Sequence, residues 1–123
     1  MTKIKKSILV VDDEVRICEI VTSYLNMHDY KTYTAYNGLD AIEIFKKEDI
    51  SLILLDLMLP DLSGEDVCMQ IRKTSRVPII MLTAKVEEEN ILKGLDIGAD
   101  DYITKPFESE GLVNSIDKVL KKH

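Results

Sequence analysis

Three short, unbroken apolar runs constrain this chain more than any other feature: Ser7 to Val11 (SILVV), Leu52 to Leu55 (LILL) and Val77 to Leu82 (VPIIML). Each is rich in Ile, Leu and Val and bounded by charged or turn residues, the pattern of strands covered on both faces. Two alternating stretches, Lys31 to Ala35 (KTYTA) and Asp101 to Thr104 (DYIT), carry Thr and Tyr and read as edge strands with one face partly wet. Between these runs, apolar residues recur at three-to-four spacing. The sets are Ile17, Ile20, Val21, Tyr24 and Leu25; Ala41, Ile42 and Phe45; Val67, Cys68 and Ile71; Ile91, Leu92 and Leu95; and Leu112, Val113, Ile116 and Leu120. Asn37-Gly38 marks a turn ahead of the second helix, and Ser63 with Asp66 three residues later an N-cap opening the third. Five strands alternating with five helices predict right-handed crossovers and an α/β fold, a doubly wound parallel sheet with helices on both faces.

In such a sheet, ligands bind outside the carboxyl ends of the strands, where strand order reverses. Asp12 and Asp13 close the first run, Asp56 the third, Thr83 the fourth, and Lys105 follows the fifth. Taken singly, an Asp after a strand is an ordinary turn or cap residue. Together they predict one pocket holding three carboxylates, a hydroxyl and an ammonium. Three gathered carboxylates repel by roughly 4 kcal/mol per pair at 4 Å and an effective dielectric near 20, which Lys105 offsets only in part. A divalent cation is the natural remedy, and hard oxygen donors without His or Cys suit magnesium. A carboxylate held beside a metal and a lysine can attack phosphorus, with the Thr83 hydroxyl bonding a phosphoryl oxygen. The product is an aspartyl phosphate.

Length and charge narrow the setting. At 123 residues and 46% hydrophobic, the chain is expected to form one domain, residues 1–123. No apolar run approaches the roughly 20 residues that span a bilayer, and MTKIKKS leads straight into a strand, so a cytoplasmic location is expected. A net charge of −6 disfavours nucleic-acid binding. The lysines that cluster (Lys3, Lys5, Lys6 and Lys118, Lys121, Lys122) lie at the two ends and read as solvated tails. Cys18 and Cys68 fall on helices expected to cover opposite faces, which predicts two reduced thiols that do not meet.

Over essentially its whole length the chain resembles the receiver domain of bacterial two-component response regulators, through ILVVDDE, LILLDLMLPDLSGED, PIIMLTA and GADDYITKPF. The resemblance implies a flavodoxin-like sheet of order 2-1-3-4-5. It also implies a phosphoryl group taken from a phosphohistidine on a sensor histidine kinase, in a switch rather than a turnover enzyme. By matching position, Asp56 is the phosphoacceptor and Asp13 a magnesium ligand. Asp12 holds a metal-bound water, the Met58 carbonyl completes the protein ligands, and Lys105 contacts the phosphoryl group. A cis Lys105-Pro106 bond is implied too, and neither His28 nor His123 lies near the pocket. Thr83, drawn toward the phosphate, would leave space for Tyr102, altering the surface of the fourth helix, fifth strand and fifth helix. From alternation alone, Tyr102 reads instead as an edge-strand side chain lying over the surface.

The stretch from Thr83 to Phe107 is most similar to the subfamily whose receivers carry winged-helix DNA-binding domains, which implies transcriptional control through an output domain. That subfamily pairs through ion pairs on this same surface, and three are absent or reversed. Ile91 and Gly111 stand where a basic residue and a glutamate are usual, Asp96 faces a second acid in Asp117, and Asp101 meets Ser115. Pairing through this face is therefore expected to be weak or to use another geometry. Gly111 also weakens the start of its helix. A stand-alone receiver acting by protein contact is the alternative within the family. A haloacid dehalogenase-type phosphatase would need a second acid two residues after its nucleophile, where Met58 stands. A flavin carrier would need a Ser/Thr/Gly-rich loop in place of Asp12-Asp13-Glu14.

Overall fold

The computed structural model describes residues 5–84 and 98–122. Five parallel strands, β1 (Ser7–Val11), β2 (Lys31–Ala35), β3 (Leu52–Asp56), β4 (Ile79–Ala84) and β5 (Asp101–Lys105), form one sheet of order β2-β1-β3-β4-β5. The two alternating stretches are its edges, as their mixed composition requires. Among the described residues there are four helices: α1 (Val15–Met27), α2 (Gly38–Lys47), α3 (Gly64–Arg72) and α4 (Ser109–Lys122). The expected helix on Ile91, Leu92 and Leu95 lies outside the described residues, so α4 is the last of the five expected.

Strand periodicity builds the core in two halves. Ile8, Val10, Leu52, Leu54, Ile80 and Leu82 face one side, where α1 adds Cys18, Val21 and Leu25 and α4 adds Leu112, Val113 and Ile116. Leu9, Val11, Ile53, Leu55, Ile79 and Met81 face the other, meeting Ala41 of α2 and Val67, Cys68 and Ile71 of α3. The two thiols are thus buried on opposite faces, and no disulfide joins them. Burial pushes both up, Cys18 to about 12 with Asp12 adding to the effect. Ile20 departs from its helical stripe and is 52% exposed.

Local chemistry sets the element ends. Ser63 Oγ accepts from Asp66 N at 3.0 Å, the N-cap its spacing predicts. Asn37 is itself the N-cap of α2, accepting from Asp40 N at 2.8 Å, so Asn37-Gly38 opens the helix rather than preceding it. The fourth strand runs later than its apolar run. Pro78 has no N–H to donate, and the Val77 carbonyl accepts from Arg72 Nη1 at 2.7 Å, so pairing begins at Ile79 and carries Thr83 inside the strand. The Arg72 guanidinium also donates to Gly98 O from Nε (3.1 Å) and Nη2 (2.8 Å) and faces Asp100 Oδ2 at 3.2 Å. That clamp fastens the entry of β5 to the end of α3. Gly98 turns there with φ 103°, a conformation that favours glycine, and a Cβ would meet Arg72 Nε at 3.0 Å.

Candidate functional site

Register brings the predicted residues to one edge of the sheet. Asp56 ends β3 opposite Leu82, Thr83 follows Leu82 in register with Thr104, and Lys105 ends β5 opposite Ala84. Lys105 is therefore the last strand residue, not the one after it. Asp12 leaves β1 with its N–H bonded to Ala35 O at 3.1 Å. These positions put Asp12, Asp56 and Thr83 in nearly full burial, with Asp56 only 5% exposed.

Carboxylate oxygens of Asp12, Asp13 and Asp56 lie within 4.8 Å of one another, Asp13 being the exposed member. Lys105 Nζ sits among them, 2.7 Å from Asp12 Oδ2, 3.3 Å from Asp56 Oδ2 and 3.8 Å from Glu14 Oε1. The 2.7 Å approach pairs the buried Asp12 Oδ2 directly with the ammonium. Asp12 Oδ1 accepts from Glu14 N at 3.0 Å, and Asp56 Oδ1 from Met58 N at 3.2 Å. Beneath the cluster, Cys18 Sγ donates to the Asp12 carbonyl at 3.3 Å.

The electrostatics follow from this crowding. Burial first, then the Asp12 charge, push the Asp56 carboxyl up to about 6, while Lys105 and the Met58 N–H act the other way. Lys105 is raised as well: burial pulls it down, but Asp12 and Asp56 outweigh that. One ammonium thus serves several carboxylates. The donor set is all hard oxygen, three clustered carboxylates with one ammonium among them, and it fits magnesium.

Tyr102 is registered opposite Met81 and so lies on the same face of the sheet as Thr83. Its ring is partly buried and packs against the core half under α2 and α3. This corrects the surface-lying reading that alternation alone gives. Met58, two residues after Asp56, is 64% exposed. His28 caps the far end of α1 against Tyr24, away from the pocket, and His123 is outside the described residues.

Three further residues shape the site. Gly64 lets α3 pass directly under the strand end, since a Cβ there would stand 2.3 Å from the Asp56 carbonyl oxygen. Asp61 accepts from Gly38 N (2.7 Å), Leu39 N (2.9 Å) and Leu62 N (2.8 Å), tying the loop after Asp56 to the start of α2. Burial opposes ionisation of Asp61, but these N–H groups hold it below the usual carboxylate range. Glu14 lies at the pocket mouth, where an apolar groove of about 360 Å³ opens between Ile17, Ile20, Val21, Pro106 and Phe107. Of the three, only Glu14 belongs to a loop singled out in the sequence, Asp12-Asp13-Glu14; no local pattern points to Gly64 or Asp61.

The class the fold and site define is a flavodoxin-like α/β domain with an acidic, lysine-closed pocket at the carboxyl edge of its sheet. The family model for the response regulator receiver domain matches residues 8–117, and the chain belongs to that family. Among solved structures it is similar to the receiver domain of the Francisella response regulator 1452, with 29% identity, TM-score 0.89, and 96% of this chain and 98% of that one covered. A two-component response regulator from Clostridium difficile gives 30%, 0.91, and 95% and 97%. NtrX from Brucella abortus gives 29% and 0.92, with 97% of this chain matching 27% of that longer one. The Lys105-Pro106 bond is cis, as the resemblance implies. No helix among the described residues is long and apolar enough to cross a membrane.

Proposed function

We propose that this domain accepts a phosphoryl group on Asp56 from a phosphohistidine of a sensor histidine kinase and acts as a switch, not a turnover enzyme. The observation that carries the reading is a nucleophile position 5% exposed, 3.3 Å from Lys105 and gathered with Asp12 and Asp13. An Asp56 carboxylate oxygen attacks phosphorus, the P–N bond breaks, and its electron pair leaves with the donor imidazole. Lys105 turns from the carboxylates to a phosphoryl oxygen. The Thr83 hydroxyl takes another, and Tyr102, on the same face, follows it inward. Asp12, Asp13, Asp56 and the Met58 carbonyl would hold magnesium, which when bound supplies positive charge against the incoming oxygens. The changed surface includes β5 and α4 and would control transcription through an output domain in a longer chain, as the length of NtrX from Brucella abortus permits.

Incubation with a small phosphodonor and magnesium tests the reading. One acid-stable, base-labile phosphoryl group per chain is expected, absent from Asp56→Asn and slowed at least about tenfold in Lys105→Ala, a loss of roughly 1.4 kcal/mol or more in transition-state stabilisation. Sustained hydrolysis of added phosphomonoesters, or full labelling of Asp56→Asn, overturns it.

A further inference from the structure

Glu14 stands where the acidic pocket meets the apolar groove. It is the N-cap residue of α1, yet its carboxylate makes no capping hydrogen bond; its backbone N–H serves Asp12 instead. The side chain is 62% exposed, 3.8 Å from Lys105 Nζ, and shares the groove lining with Ile17 and Phe107. A carboxylate so placed contributes little to folding. Its charge acts on Lys105 Nζ, which is itself 3.3 Å from Asp56.

We propose that Glu14 is a charge filter at the pocket mouth, slowing phosphoryl transfer from small anionic donors and most of all from dianionic acyl phosphates. The inference rests on Asp56 being the phosphoacceptor. Any phosphoryl oxygen that Lys105 binds lies one hydrogen bond beyond a nitrogen already 3.8 Å from Glu14, hence within roughly 7 Å of that carboxylate. That is inside the Debye length of about 8 Å at physiological ionic strength. Repulsion over this distance lowers the local concentration of anions before any bond changes, and a dianion feels it about twice as strongly as a monoanion. A donor carried on a protein draws its affinity from the surrounding surface. The filter therefore biases the pocket toward carrier-borne phosphoryl groups.

The test uses the whole chain and its Glu14→Gln and Glu14→Lys variants at saturating magnesium. Acetyl phosphate, a dianion near neutral pH, releases acetate with the O–P electron pair; phosphoramidate, a monoanion, releases ammonia after protonation of its nitrogen. At low ionic strength Glu14→Gln is expected to raise the second-order rate with acetyl phosphate about 2- to 5-fold, and Glu14→Lys further. The gain with phosphoramidate should be smaller, and both gains should vanish near 0.5 M salt, as expected for a screened charge effect. An unchanged rate with acetyl phosphate overturns the proposal, as does an equal gain with both donors that survives salt, the mark of a structural effect. Failure of the parent chain to take label from either donor overturns the phosphoacceptor reading and this one together. Asp56 labelling that ignores Glu14 overturns this one alone.

Discussion

At the scale of single residues, the displaced Asp56 carboxyl has a measurable cost. Its pKa is 3.8 in the ordinary state and about 6 when folded. Between those values the folded chain binds more protons than the unfolded one, so this group's contribution to stability falls as pH rises from about 4 to about 6, then levels. Asp56→Asn removes the charge and keeps the shape. Without magnesium the variant should exceed its parent by about 1 to 2 kcal/mol at pH 8, a figure discounted for water at the pocket rim. Urea unfolding at several pH values should show that gap closing toward pH 4; a gap that widens on acidification contradicts the assignment. Asp12, Asp13, Asp56, Thr83 and Lys105 were legible in the sequence because type and strand-end position both lie on one line of text. Gly64 and Asp61 were not. Gly64 acts through the backbone it lets pass, and Asp61 reaches a helix start 23 residues away in sequence.

At the scale of elements, apolar periodicity located every described strand and helix, and the errors sit where a nonlocal bond decided an end. Pro78 and the Arg72 contact moved β4 two residues along, and no local pattern announces a guanidinium that gathers carbonyls from Val77 and Gly98. The stripe of α1 was misread at Ile20, since a groove rather than a neighbour lies over it. In α4 the periodicity overrides a poor helix former: Leu112, Val113, Ile116, Val119 and Leu120 are buried although Gly111 precedes them. A Cβ at Gly111 would meet nothing within 4 Å. Gly111→Ala should therefore stabilise the fold by about 0.5 to 1 kcal/mol, through helix propensity and a less flexible unfolded chain. For a domain of this size that is a rise of roughly 2 to 5 °C in Tm. A calorimetric scan showing no rise or a fall would mean that Gly111 has a contact in solution that its open surroundings do not suggest.

At the scale of the whole molecule, the pocket edge gathers residues from the end of β1 and from β3, β4 and β5, while the surface it is proposed to control carries few of the charges usual in the winged-helix subfamily that the sequence resembles. Ile91 and Asp96 lie outside the described residues, but their expected partners can be followed. Gly111 offers no side chain. Asp117 accepts a hydrogen bond from Tyr30 Oη of its own chain, and burial followed by Asp117 raises the Tyr30 hydroxyl. Asp101 Oδ1 accepts from its own chain's Tyr102 N at 2.8 Å. Two of the three carboxylates that a second copy would meet are thus already engaged within one chain. Exposed ion pairs contribute only about 0 to 1 kcal/mol each, and a symmetric interface repeats each pair, so the missing pairs remove at most roughly 6 kcal/mol. That is up to about four powers of ten in a dimerisation constant, and a like-charge meeting of Asp96 with Asp117 adds repulsion. In sedimentation velocity with magnesium and a phosphoryl mimic such as beryllofluoride, the domain should remain monomeric at tens of micromolar, with Asp56→Asn as the control that does not bind the mimic. A tight symmetric dimer through β5 and α4 would show that apolar contact on this face outweighs the charges it lacks.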